Sequence, residues 1–101
     1  DAMANGRYVK IGEEVITGLS SVKFLTLVAG SIVSHVMLTP LSKSVRYRFN
    51  ASPDASTGHL IAADETIILT QDLDNVRFIE TAASASLMVT YFGGPINGLE
   101  S

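Results

Sequence analysis

A chain of 101 residues has room for one domain, and 47% hydrophobic against 17% charged residues supplies a core while excluding a disordered segment. The net charge is −3 and the seven basic residues are scattered, which excludes the clustered footprint of non-specific nucleic-acid binding. With no cysteine there are neither disulfides nor thiolate metal sites, so stability has to come from packing or assembly.

Short period-two segments rich in β-branched and aromatic residues dominate, separated by turn residues. In chain order, Tyr8 to Ile11 reads as a strand closed by Gly12, and Glu14 to Thr17 as a second closed by Gly18. Val22 to Val28 is near-continuously apolar and is expected to be buried on both faces. Gly30-Ser31 reads as a tight break, with Ile32 to Leu38 returning as the second arm of a hairpin. Pro40 is expected to stop ladder pairing.

Ser44 to Asn50 alternates cleanly, with Val45, Tyr47 and Phe49 on one face and Arg46 and Arg48 on the other. Asn50 to Gly58 is a polar surface loop. Leu60-Ile61 and Thr66 to Thr70 are two short strands around an Ala-Ala-Asp-Glu turn. Asp72, Asp74 and Asn75 turn the chain into Val76 to Glu80. Ala82 to Ser86 is a turn, and Ala85 to Phe92 is the last strand, with Ala85, Leu87, Val89 and Tyr91 on one face. Gly93-Gly94-Pro95 closes it.

No segment has a sustained helical period. The fold expected is all-β, an antiparallel two-sheet β-sandwich of jelly-roll type, forming a single domain over residues 4–94. Residues 1–3 and 95–101 are read as flexible ends, vector-derived in part, because Asp1-Ala2 before Met3 and Leu99-Glu100 look like cloning remnants. No leader pattern opens the chain. The apolar run from Val22 to Leu38 is broken by Lys23, Gly30, Ser31, Ser34 and His35, too polar to span a bilayer, so no membrane partner is expected.

Signatures of catalysis are missing, and the chain reads as a non-enzyme with no cofactor and no metal site. His35 and His59 share no ligand spacing. His35, mid-strand among apolar residues, reads as a hydrogen-bonded structural histidine. His59, at a loop–strand junction, is either a partner contact or a solvated side chain. No G-x-S-x-G elbow is present. Asp72-Leu73-Asp74-Asn75 lacks the glycine and distal glutamate of a calcium loop and reads as an Asx-type turn. Adjacent side chains on a strand point to opposite faces, so neither of the adjacent carboxylate pairs, Glu13-Glu14 and Asp64-Glu65, is expected to converge for acid–base work.

One charge feature stands out. Arg46, Arg48 and Arg77, on neighbouring strands, would form a basic stripe able to meet acidic groups on a partner. The alternative is a solvated face with cross-strand pairs to residues such as Glu80. Asp54 and Thr57 in the polar loop, with His59 beyond it, complete the candidate partner-binding set.

The runs VRYRFN (45–50), Thr57-Gly58-His59-Leu60, DETIILTQDLDNVRFIET (64–81) and SASLMVTYF (84–92) resemble a pattern in small virion proteins of tailed bacteriophages. The likeness covers Ser44 to Phe92, and the first half carries no such resemblance. It implies a structural protein on a virion surface, of the capsid decoration (cement) or head-fibre type, which bridges capsomers. The partners implied are a second and third copy of the chain, as a trimer or dimer, and a major capsid or other virion protein. Assembly would follow synthesis in a bacterial cytoplasm. The alternatives are a host-receptor or carbohydrate-binding module and a neck or tail connector subunit. For sugar stacking, Tyr8 and Tyr91 are the only aromatic side chains to spare, and there is no tryptophan.

Overall fold

The computed structural model describes residues 8–26 and 32–93. The expected turn at Gly30-Ser31, the two ends and the tail after Gly93 lie outside them. Among the described residues eight strands are formed: β1 Val9–Ile16, β2 Lys23–Phe24, β3 Val33–Leu41, β4 Val45–Phe49, β5 His59–Ile61, β6 Ile67–Leu69, β7 Val76–Glu80 and β8 Ser86–Gly93. They make two four-stranded antiparallel sheets, ordered β1-β8-β3-β6 and β2-β7-β4-β5. The all-β sandwich expected from the alternation is therefore what the chain adopts.

The pairs β1·β8, β2·β7, β3·β6 and β4·β5 are nested, as in one long hairpin. The chain changes sheet at every connection except β4 to β5. Only there do neighbouring strands of the sequence pair with each other. The hairpin expected from the segment before Gly30 to Ile32–Leu38 is accordingly not made. β2 belongs to the second sheet, whereas β3 lies in the first, between β8 and β6.

Three other expectations are corrected. The two strands drawn on either side of Gly12 are one strand, because a bulge absorbs the irregularity. Lys10 faces Phe92 and Gly12 faces Tyr91, so Ile11 is the extra residue. Only Lys23-Phe24 of the Val22–Val28 run forms a strand among the described residues. β2 is an edge strand and Phe24 is 46% exposed, so double-sided burial fails there. Pro40, expected to end the ladder, sits inside β3 opposite Leu87. Its carbonyl accepts from Asp64 N–H at 2.8 Å, which directs its ring nitrogen toward the β6 side as well. There β6 pairs no further than Leu38, so no ladder bond is lost.

The core forms where the two inner faces meet. Val36, Leu38, Leu87, Val89 and Tyr91 come from the first sheet, and Val45, Ile61, Val76 and Phe78 from the second. Leu19, Leu25 and Leu73, from the connections, close its ends. Tyr47 and Phe49 pack against this cluster while half-buried. Phe78 is fully buried at its centre. Truncating it leaves a cavity as well as lost transfer energy, so Phe78→Ala should cost about 3–5 kcal/mol. Total stability for a small domain is about 5–15 kcal/mol, and urea denaturation of the variant should show little or no folded baseline. A cooperative transition close to the parent's would show that Phe78 does not anchor the core.

Candidate functional site

Alternation along β4 and β7 turns Val45, Tyr47, Phe49, Val76 and Phe78 inward, and so turns Arg46, Arg48 and Arg77 outward. The register places them in two rows. Phe24, Arg77 and Arg48 lie across β2, β7 and β4; Ile79, Arg46 and Leu60 lie across β7, β4 and β5. The three arginines expected on neighbouring strands thus share one face, with Arg48 directly opposite Arg77.

The loop between β4 and β5 holds two of them. Asp54 and Thr57 bridge to each other through their backbones, and Pro53 is buried beneath. That turn aims carbonyls back at the sheet. Arg46 donates from Nε to Ala55 O at 3.1 Å and from Nη1 to Gly58 O at 2.8 Å. Arg48 donates from Nη1 to Ser52 O at 3.2 Å. Gly58 is required for this arrangement. Its φ is +133°, and a Cβ there would stand 3.0 Å from Tyr47 O. The Asp54 carboxylate stays within the loop. Ser56 donates to it from its backbone N–H at 2.9 Å and from its hydroxyl at 3.1 Å, and these bonds hold it below the usual carboxylate range.

Arg77 is held differently. Its Cζ lies 5.2 Å from the centroid of the Phe24 ring, a cation–π contact, and its buried Nε has no hydrogen-bond partner. The cross-strand pairing with Glu80, weighed as the alternative, does not occur. Glu80 shares the inward parity of Val76 and Phe78, and its Oε1 accepts from Ala85 N–H at 3.2 Å. The one ion pair among the described residues is Lys10 with Glu13, far from this face on β1. His59 also stands apart from the arginines. It faces Tyr47 across the β4–β5 pair with ring centroids 5.2 Å apart, on the opposite side of the sheet.

The outer face of the first sheet differs in kind. Phe92 and His35 stack at 4.8 Å, and Tyr8 meets His35 edge-on. Next come Thr90, Met37 and Ile68, then Val15, Met88 and Thr39. Tyr8, Val15 and Ile68 are each about half exposed. His35 does carry a hydrogen bond, 2.8 Å from Nδ1 to the Ser34 hydroxyl. The only charges here among the described residues, Lys10 and Glu13, neutralise one another. Sequence reasoning missed this face because its apolar members come from four strands whose neighbours were unknown.

A polar cluster was missed as well. Tyr91, counted as a spare aromatic, is 1% exposed and points inward. Its hydroxyl donates to Glu14 Oε2 and accepts from Thr26 N–H at 3.1 Å, while Thr26 Oγ1 donates to the same carboxylate oxygen at 2.7 Å. The cluster ties β1 and β8 to the segment that follows β2, and so links the two sheets. The inward parity of Tyr91 was the available signal. Glu13 and Glu14 indeed diverge, one outward to Lys10 and one inward to this cluster. Asp72 to Asn75 is a backbone turn, with Asp72 at φ +54° and Asn75 N–H donating to Asp72 O at 3.0 Å. Among the described residues no three of His, Cys, Asp and Glu converge as metal ligands. Comparison with protein-family models, with curated proteins and with solved structures returns no match for this chain.

Burial, and then the Glu14 carboxylate, push the Tyr91 phenol above its ordinary value of 10.0. The unfolded chain therefore ionises first as pH rises, and the stability this group contributes is lost as pH climbs through the folded value. Tyr91→Phe should lower stability near neutral pH by about 0.5–1.5 kcal/mol. It should also flatten the fall of melting temperature above pH 10, measured by thermal melts across that range.

Proposed function

We propose that the protein is a non-enzymatic structural component of a tailed-phage virion. Self-associated as a trimer or dimer, it decorates the capsid and bridges capsomers. The observation that carries the reading is the pair of unlike outer faces, one apolar and neutral, the other bearing three arginines. An antiparallel sheet that simply faces water keeps its outward positions polar. Here Val15, Met37, Ile68, Met88 and Phe92 share them with Lys10, Glu13, His35, Thr90 and Thr39, and Tyr8 packs alongside on His35, which suits a contact surface.

Charge separates the roles of the faces. A neutral apolar face meets a second copy of itself without repulsion, whereas an arginine face opposed to its own copy is repelled. Self-association is therefore assigned to the first sheet. The jelly-roll reading is supported by the nested pairing of β1·β8, β2·β7, β3·β6 and β4·β5 across two sheets. The phage reading is supported by the resemblance carried by residues 44–92. Symmetric repetition would turn modest contacts per subunit into avid attachment, and preferential binding to the mature shell would stabilise it by mass action.

Sedimentation at tens of micromolar should report a trimer or dimer. Ile68→Lys, at a half-exposed position, should convert it to monomer with an unchanged melting temperature. A parent that sediments only as monomer would remove the self-association. The virion role is tested separately, by co-sedimentation with undecorated mature capsids of the phage that encodes the chain. Binding is expected to saturate at a fixed number of copies per capsid, and failure to co-sediment would overturn the reading.

A further inference from the structure

We infer that the outer face of the second sheet receives a carboxylate-bearing segment of another protein, gripped by Arg46, Arg48 and Arg77. This deepens the contact-making reading above and rests on it in taking the protein to work through its surfaces. Like charges directly opposite one another destabilise a sheet, yet Arg48 and Arg77 are cross-strand partners. The chain has ten acidic residues, and no described one forms an ion pair with these arginines. Asp54, the acid in the adjoining loop, is bound to Ser56, and Glu80 is turned inward.

Neutral carbonyls take the place of counter-ions. Those of Ser52, Ala55 and Gly58 pin two guanidiniums in place while leaving most of their donors unused. Arg77 is held instead by its cation–π contact with the Phe24 ring. Guanidiniums held in this way lose little freedom on binding and match the two oxygens of a carboxylate. Phe24 and Leu60, 46% and 53% exposed, border the arginines at opposite edges. The surface therefore suits a segment that presents acidic side chains at its centre and apolar ones toward its ends. Apolar borders fit such a peptide better than a phosphate backbone.

The probe is a fluorescein-labelled peptide of glutamates flanked at both ends by valines, titrated with the protein at low ionic strength and read by anisotropy. Saturable binding that weakens with added salt is expected. Arg48→Gln/Arg77→Gln should weaken it by about tenfold or more, with a melting temperature equal to or above the parent's because the like-charge pair is gone. Arg77→Lys, which disturbs no loop carbonyl and keeps the charge, should weaken binding to a lesser degree with an unchanged melt. Lys43→Gln, exposed and outside the face, should bind like the parent.

No saturable binding by the parent would overturn the proposal, as would arginine variants that bind like it. A labelled oligothymidylate that binds as tightly through the same arginines would assign the face to phosphates instead. Because the assay contains no capsid, failure of the virion reading would appear separately, as intact peptide binding with no capsid co-sedimentation.

Discussion

Strand β8 is hydrogen-bonded along both edges, to β1 and β3, and its alternation decides which side of the first sheet is inside. Leu87, Val89 and Tyr91 point to the core, and Ile16, Glu14 and Gly12 of β1 and Pro40, Leu38 and Val36 of β3 follow them by register. A slip of one residue would exchange the faces. The bulge at Ile11 has a specific consequence. If the pairing of Lys10 with Phe92 continued without it, Glu13 would stand opposite Val89 and Glu14 would turn outward. One inserted residue therefore selects the glutamate that meets Tyr91 and the one that pairs with Lys10.

The nested pairing sets the second constraint. Joining β1 to β8 brings together residues near the two ends of the described chain, and only the β4–β5 connection closes a local hairpin. A topology of this kind spends chain entropy before its contacts form, so it folds slowly compared with helical domains of the same size. It also sends most connections across the ends of the sandwich. Leu19, Leu25 and Leu73 are buried there because the segments carrying them pass over the core. Glu14, Tyr91 and Thr26 close one of those crossings with hydrogen bonds where an apolar contact would have left the phenol unpaired.

The two outer faces follow from the same parity. Turning Val45, Tyr47 and Phe49 inward necessarily turns Arg46 and Arg48 outward, and turning Leu87, Val89 and Tyr91 inward exposes Met88 and Phe92. Strand order then concentrates charge on one face and apolar surface on the other. The loop of residues 50–58 links fold to surface, since the turn that buries Pro53 also supplies the carbonyls that hold the arginines.

Local pattern sufficed wherever the information needed lay within one strand. Val45 to Phe49 and the stretch from Ala85 to Phe92 were legible with their inward residues, and Val76 to Glu80 as a strand, because strict period two survives in any sheet. The arginine stripe was legible for the same reason, as were the turns at Asp72 and Ala82. Pairing was not. A two-residue edge strand at Lys23-Phe24 carries no period, and nothing near it in sequence names β7 as its partner. Proline stops a ladder only where a ladder exists on its nitrogen side, so the fate of Pro40 depended on the shortness of β6. The apolar outer face and the Glu14–Tyr91–Thr26 cluster likewise join residues far apart in the chain. The sequence by itself determined an all-β domain and the parity of its clearest strands, because alternation is a local property. Tertiary structure alone decided which strands are neighbours, and hence which outward residues form a surface, because strand pairing is a choice between distant segments that local pattern leaves degenerate.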